Sequence, residues 1–520
     1  PGEWVAGLRD RAAGIVDPTA RLYWAYFLRA PDAGGLLYWV DTRRRGMTLY
    51  RASSHFAGSK EFRDRYGALT AAGFVDLVYR NVLGRDADPG GRRFWIDQLA
   101  TRRRTRGQVM VGFSESPEFR SLRADEVVDG SGRVAMPGFV NAHCHSPMTF
   151  ERGWAEDLPF DRWLNEKIWV AESALTPDDV YWGAALAACE MIRSGTVAFN
   201  DHYFYMDRVA QVVEQSGMRA QLTWCTFGIG DDKEIGPGAD TQLAFSREWR
   251  GAAGGRIHTC LGPHSPYVCP PDFLARVVDL ARQHDLPIHL HVAESQEQVD
   301  NSRQRHGMTP VEQLDALGVF DQPAIAAHCL AVTDGDRAIL AEKGVCVART
   351  PITYMKLAMP VNHVSDLTAA GITLALGSDG PASNATMDML DILRQQVWLE
   401  KYLREDPEAL PGDSALRMAT QAGARAMGFA ESGVLAEGRP ADLILIDLDR
   451  PHLRPRHDLI ANLVHSAKGA DVTHVIVDGR LLMRDRELLT LDEERILHEA
   501  EQRAFRMVNQ NMSQVRQYRA

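Results

Sequence analysis

"GFVNAHCH", residues 138–145, carries an apolar run into two histidines one residue apart. Side chains of an extended strand alternate faces, so His143 and His145 point the same way, and such a pair is either two ligands of one metal ion or a coincidence. Seven more short runs of apolar and β-branched residues follow: TVAFNDH (196–202), RAQLTWC (219–225), RIHTCLGPH (256–264), PIHLHVAE (287–294), AIAAHC (324–329), GVCVART (344–350) and ITLALGSD (372–379). The segments between them, among them DDVYWGAALAACEMIRSG and PDFLARVVDLARQHD, repeat apolar residues with the period of a helix. Eight strands alternating with helices predict the α/β class and a (β/α)8 TIM-like barrel.

The reactive side chains share one register. His143 and His145 close the first run, His264 the fourth, His291 and Glu294 the fifth, His328 the sixth and Asp379 the eighth, all at C-terminal strand ends. In a barrel of this kind that end is the rim where catalytic groups collect. One such histidine alone is more often a packed core residue than a ligand; their gathering on one rim favours a metal centre. The seven cysteines are scattered, odd in number and set in apolar runs, and no CxxC pair exists, so a metal here must be held by histidine and carboxylate.

At 520 residues the chain is too long for one ordinary core, and its 45% apolar content suffices for a barrel with further domains. It contains no apolar stretch of the length a membrane helix requires, and its first residues, PGEWVAGLRD, lack the basic and apolar regions of a secretory signal, so a cytoplasmic protein without a membrane span is expected. Charge is unevenly spread. Residues 1–123 hold 21 Lys and Arg against 13 Asp and Glu, leaving 37 against 56 for the remainder, which marks a boundary near residue 123.

The basic segment repeats itself. LRAPDAGGLLYWV (28–40) recurs as LGRDADPGGRRFWI (83–96), and HFAGSKEF (55–62) as GFSESPEF (112–119). Each copy has a helical apolar pattern, a Gly-Gly turn, an aromatic pair (Tyr38-Trp39, Phe94-Trp95) and a second helix closed by a Ser-x-x-Phe segment, which predicts a small all-helical repeat domain over 1–123. Residues 20–122 resemble a bacterial domain of unknown function found as tandem helical repeats. The runs Arg43-Arg44-Arg45 and Arg102-Arg103-Arg104 read as solvated helix faces in preference to a nucleic-acid surface.

From about residue 127 to 510 the chain resembles the metal-dependent amidohydrolase superfamily. PGFVNAHCH, IHLHVAES, AHCL, LALGSDGPASN and GRPADLILID carry the resemblance, and MTFERGWAEDLPFDRWL, EMIRSGTVAFNDHYF and GPHSPYVC place it beside the methylthioadenosine/S-adenosylhomocysteine deaminase and chlorohydrolase (triazine hydrolase-like) branch. The resemblance implies that His143, His145, His291 and Asp379 bind one divalent metal ion per chain, zinc or iron. His328 and Asp379 would flank the reacting water, and Glu294 would act as proton shuttle. His289 matches no ligand and reads as packing.

The implied reaction is hydrolytic deamination of a small amino-substituted N-heterocycle with release of ammonia. The alternatives are chloride removal or cyclic C–N hydrolysis at the same centre, and a non-catalytic binding scaffold. For the substrate, the resemblance implies contacts from Glu172 and His264. Trp224 stands where relatives acting on S-adenosylhomocysteine place an arginine, and residues 220–246 offer only Lys233 as a base, so an adenosine-like nucleoside is favoured. Arg349-Thr350-Pro351-Ile352-Thr353-Tyr354 replaces the branch's usual His-x-Pro-x-Ser-Asn and is expected to bring the Tyr354 phenol near the substrate ring. The family usually begins with β-strands that complete a small sandwich. Here they shrink to a remnant, giving the expected division 1–123 helical, 124–136 and 427–485 sandwich remnant, 137–426 barrel and 486–520 C-terminal helix, with homodimers usual in the family.

Overall fold

The computed structural model describes residues 17–28, 33–116, 128–228 and 238–508. Phe119 of the second repeat, Glu126-Val127, Lys233 and residues 509–520 lie outside them. The chain divides into two compact units, Pro1–Asp129 and Gly130–Ala520.

The first unit is helical, and its two copies can be read helix by helix. Helices Ala33–Arg44 and Leu49–Ala57 correspond to Pro89–Ala100 and Arg106–Ser114, and Thr48 and Thr105 cap the second helix of each copy in the same way. The expected Gly-Gly turn is instead the first turn of a helix. In the second copy Asp88 caps that helix by accepting from Gly91 N at 2.8 Å, and a Cβ on Gly91 would lie 2.3 Å from the Tyr79 hydroxyl, so glycine is there for close packing. The copies share one core, in which Tyr26, Phe56, Phe62, Phe74 and Phe113 are buried. Ser53 links them further, contacting the Tyr26 hydroxyl at 2.8 Å and donating to the Gly107 carbonyl at 2.9 Å.

The second unit contains a parallel eight-stranded sheet in sequence order: β2 (Phe139–Cys144), β3 (Thr196–Tyr203), β4 (Arg219–Thr226), β5 (Ile257–Pro263), β6 (Ile288–Val292), β7 (Ala324–His328), β8 (Cys346–Arg349) and β9 (Thr373–Leu376). Each strand falls on one of the eight sequence runs, β3 and β4 continuing one residue beyond theirs. The barrel closes where Asp379 N donates to the His143 carbonyl at 3.0 Å, so the last strand end meets the first at the expected rim. Gly377 makes the seam possible, because a Cβ there would come within 2.6 Å of the His143 carbonyl oxygen.

A five-stranded antiparallel sheet joins the barrel, in the order β1 (Arg133–Pro137), β10 (Leu443–Asp447), β11 (Val472–Val477), β12 (Arg480–Arg484) and β13 (Glu487–Leu488). The short entry strand β1 pairs with β10 along its whole length, so β10 is an interior strand and needs no cover for an open edge. Asp478 (φ 53°) and Gly479 (φ 77°) make the tight turn between β11 and β12. Ile444, Val472 and Leu482 face the barrel at Gly195 and Gly217, which have no room for a side chain. The C-terminal helix Glu493–Val508 packs on helix Pro177–Arg193, with ion pairs Arg193–Glu493 and Arg506–Asp179. Among the described residues no helix is long and apolar enough to cross a membrane.

A buried ionic network ties the small sheet to the barrel. The Asp442 carboxylate is 1% exposed and accepts from Arg219 Nε at 2.8 Å, Ser432 Oγ at 2.5 Å and Asp478 N at 2.8 Å. Removing the cation while leaving the buried carboxylate costs about 3–5 kcal/mol. Arg219→Met should therefore lower the unfolding free energy of the second unit, read from urea titration, by that amount; a loss below about 1 kcal/mol would reduce the pair to the status of a surface ion pair.

Candidate metal centre and cleft

Strand alternation in β2 and the register of the other strand ends bring the predicted ligands together. His145 Nε2 lies 3.2 Å from Asp379 Oδ1 and 3.3 Å from His291 Nε2, and His143 Nε2 lies 3.7 Å from Asp379 Oδ1. Backbone carbonyls fix the tautomers of two of the rings. His145 Nδ1 is 2.6 Å from the His202 carbonyl and His291 Nδ1 is 2.9 Å from the His264 carbonyl. A carbonyl can only accept, so each Nδ1 carries a proton and each Nε2 is turned toward the centre. His143 is held through Nδ1, 2.9 Å from His289 Nε2, while its fully buried Nε2 has no hydrogen-bond partner. His289 is thus a neighbour that orients a ligand.

Electrostatics prepare the same set. Burial and the surrounding imidazoles hold His143 and His291 well below the usual histidine range, so both rings are neutral donors. Burial opposes the Asp379 carboxylate, but the His145 hydrogen bond and the nearby His328 and His145 charges outweigh it and keep its pKa below the usual carboxylate value. An orphaned, fully buried imidazole nitrogen facing two further imidazoles and a carboxylate of lowered pKa fits a divalent cation, and this donor set accepts zinc, iron or manganese. His328 Nε2 and Glu294 Oε2 stand 4.0 Å apart beside the set. Burial pushes the Glu294 carboxyl up despite the His328 charge and the hydrogen bond from Tyr267, whose hydroxyl donates to Oε1 at 2.7 Å.

The backbone is strained where these groups emerge. His328 (φ 72°), Cys329 (φ 50°), Ala293 (φ 50°) and Asp379 (φ 63°) occupy the left-handed region without being glycine, at a cost of about 1–3 kcal/mol each. Sequence patterning carries no sign of this.

Above the centre lies a cleft of about 710 Å³, open to solvent, whose walls are largely aromatic and aliphatic. Glu172 and His264 line it as expected, His264 with its ring centroid 4.6 Å from that of His291. Glu172 receives a hydrogen bond from the Tyr203 hydroxyl, and burial pushes its carboxyl up to about 7. Behind it Glu151 is 1% exposed with neither oxygen hydrogen-bonded, and burial raises its pKa strongly, with the Glu172 charge adding to the effect.

Two expectations fail. Trp224 is absent from the described wall: β4 turns Cys225 into the cleft, and the indole one residue earlier lies on the opposite face, 5.4 Å from Phe245 and 6.5 Å from Tyr205 between ring centroids. Tyr354 does not reach the cleft either. It is fully buried behind His328, ring centroids 5.8 Å apart, with its hydroxyl accepting from Thr350 N at 2.9 Å; Thr353 lines the wall in its place. The residues that sequence reasoning left unassigned are His202 and Glu151. Each sits inside a quoted segment, TVAFNDH and MTFERGW, but nothing in the residue pattern set them apart from core positions.

Known proteins resemble both parts of the chain. The domain of unknown function DUF4214 matches residues 53–122, a shorter span than the sequence repeat. A 5-methylthioadenosine/S-adenosylhomocysteine deaminase of Pelotomaculum thermopropionicum is 49% identical over 404 residues, covering 78% of this chain and 91% of that protein. The protein of the same description from Dictyoglomus thermophilum is 47% identical, covering 78% and 94%. Among solved structures, a zinc-bound adenosine deaminase from Xanthomonas campestris superposes with a TM-score of 0.69 at 35% identity, covering 72% of this chain and 86% of that one. A zinc-complexed atrazine chlorohydrolase from Arthrobacter aurescens, at 23% identity and a TM-score of 0.67 over 73% and 89% of the two chains, shares the fold. The amidohydrolase family itself matches residues 134–482, and with the barrel, the rim and the converging donors in place the chain belongs to that family.

Proposed function

We propose that this protein is a metal-dependent aminohydrolase that deaminates a neutral adenosine-like nucleoside, with zinc held by His143, His145, His291 and Asp379. The observation that carries the reading is the pairing of that donor set with a protonatable carboxyl, Glu294, fixed by Tyr267 at 2.7 Å and facing His328. When bound, the cation supplies hydroxide at neutral pH, because it lowers the pKa of water from about 15.7 toward about 7. Asp379 and His328 flank the reacting water and aim it at the ring carbon that bears the amino group. Glu294, whose pKa burial raises, gives a proton to the adjacent ring nitrogen, regains one from the hydroxyl added at the ring carbon and passes it to the departing amine. Amino-heterocycle and water yield oxo-heterocycle and ammonia.

Charge in the cleft favours a neutral substrate. Glu172, Glu294 and Asp379 line it, and the described wall contains no Lys or Arg to receive the carboxylate of an amino-acid tail. The relatives' description names two substrates, methylthioadenosine and S-adenosylhomocysteine; of these the first lacks the charged tail. Ammonia release from adenosine, methylthioadenosine, S-adenosylhomocysteine, guanine, pterins and melamine tests the choice. Adenosine or methylthioadenosine should lead in kcat/KM, and exclusive turnover of S-adenosylhomocysteine would refute it. Assay of chloride from a chlorinated triazine separates the chlorohydrolase reading.

Glu172 gives the binding step a pH signature. As acceptor for the sugar hydroxyls it must be ionised, and it titrates at about 7. Below that pH the carboxyl is protonated and loses acceptor capacity, so KM should fall as pH rises through about 6 to 8. Glu172→Gln should raise KM and flatten this limb; a KM profile identical to that of the parent would remove Glu172 from substrate binding.

A further inference from the structure

One imidazole at the floor of the cleft has no part in the chemistry above. His202, near the end of β3, is 1% exposed and lines the cleft, yet neither of its ring nitrogens has a hydrogen-bond partner. A buried imidazole in that condition has given up its bonds to water with no protein bond in return, and native proteins seldom leave such a group without a ligand. Its surroundings are not an apolar core. The ring centroids of His291, His289 and His145 lie 5.0, 5.2 and 6.0 Å from its own.

Two features hold the ring in this position. A Cβ on Gly262 of β5 would come within 3.2 Å of His202 Nε2 and 2.3 Å of Thr223 Cγ2, so the bare backbone of β5 leaves space for the imidazole. The His202 carbonyl also accepts from His145 Nδ1 at 2.6 Å, which ties the backbone of one residue to the ring of a ligand. One nitrogen of His202 and one each of His145 and His291 all lie within 4.8 Å of one another.

We propose that His202 is a fifth protein donor to the cation, joining His143, His145, His291 and Asp379. The inference rests on the metal-centre reading above. A five-donor set with room for water departs from the four-coordinate habit of zinc toward the higher coordination numbers that iron and manganese accept. A ring that touched only substrate would leave the metal's coordination unaffected, and the two roles therefore separate by spectroscopy.

The test uses full-length protein stripped with a chelator and reloaded with one equivalent of metal. X-ray absorption at the zinc edge of the parent protein should count four imidazoles; three would overturn the assignment. Loaded with Co2+, His202→Leu should show stronger, lower-energy visible bands than the parent, as coordination number falls. Chelator competition should show metal affinity reduced by about tenfold or more. His202→Asn, which retains a polar group, guards against misfolding of the leucine variant. Unchanged spectra and affinity with only KM raised would make His202 a substrate contact and refute the proposal. Failure of the parent to hold one equivalent of any divalent ion would refute the metal centre itself, and the fifth donor with it.

Discussion

Buried imidazoles and a buried carboxylate crowd together only when something rewards their desolvation, and a shared divalent cation does so. His143, His145, His291 and Asp379 satisfy this condition in detail. Carbonyls of His202 and His264 accept from the Nδ1 of two rings, His289 holds the third ring, and the Nε2 atoms of His143 and His145 lie against the Asp379 carboxylate. The rest of the second unit serves this convergence. The seam that closes the barrel is the hydrogen bond from Asp379 N to the His143 carbonyl, so one interaction both completes the sheet and joins two ligands.

The same constraint organises the proton chemistry. Ionisable groups at the cleft diverge because their surroundings differ: the His145 hydrogen bond and nearby imidazoles lower the Asp379 pKa, whereas burial raises those of Glu294 and Glu172. A pair of carboxyls driven apart in this way is how one site supplies both base and acid near neutral pH. Left-handed backbone at Ala293, His328 and Asp379 is the local cost of aiming these groups from separate strands.

Much of this was legible in the sequence because it follows from two periodicities. Alternation along strands put His143 and His145 on one side, and the strand–helix rhythm put seven reactive residues at one mouth. Strand alternation also explains where reading failed. Trp224 was assigned by position along the chain, but its neighbour Cys225 owns the inward face. Tyr354 follows a strand end, which suggests a place near the substrate, yet the hydrogen bond its hydroxyl accepts from Thr350 N holds it behind His328. The Gly-Gly pairs looked like turns and proved to be helix starts, since the clash that excludes side chains at Gly91 is tertiary and leaves no local mark. His202 and Glu151 escaped notice for a related reason: their distinction is the lack of partners, which only coordinates reveal.

The central claim is that one divalent ion sits among four named side chains at the mouth of the barrel. Anomalous diffraction recorded on both sides of the zinc and iron absorption edges, from crystals of metal-replete protein, addresses it directly. The account predicts a single strong peak bounded by His143 Nε2, His145 Nε2, His291 Nε2 and Asp379 Oδ1. A fully occupied metal elsewhere in the chain, with those four groups left to one another, would contradict it.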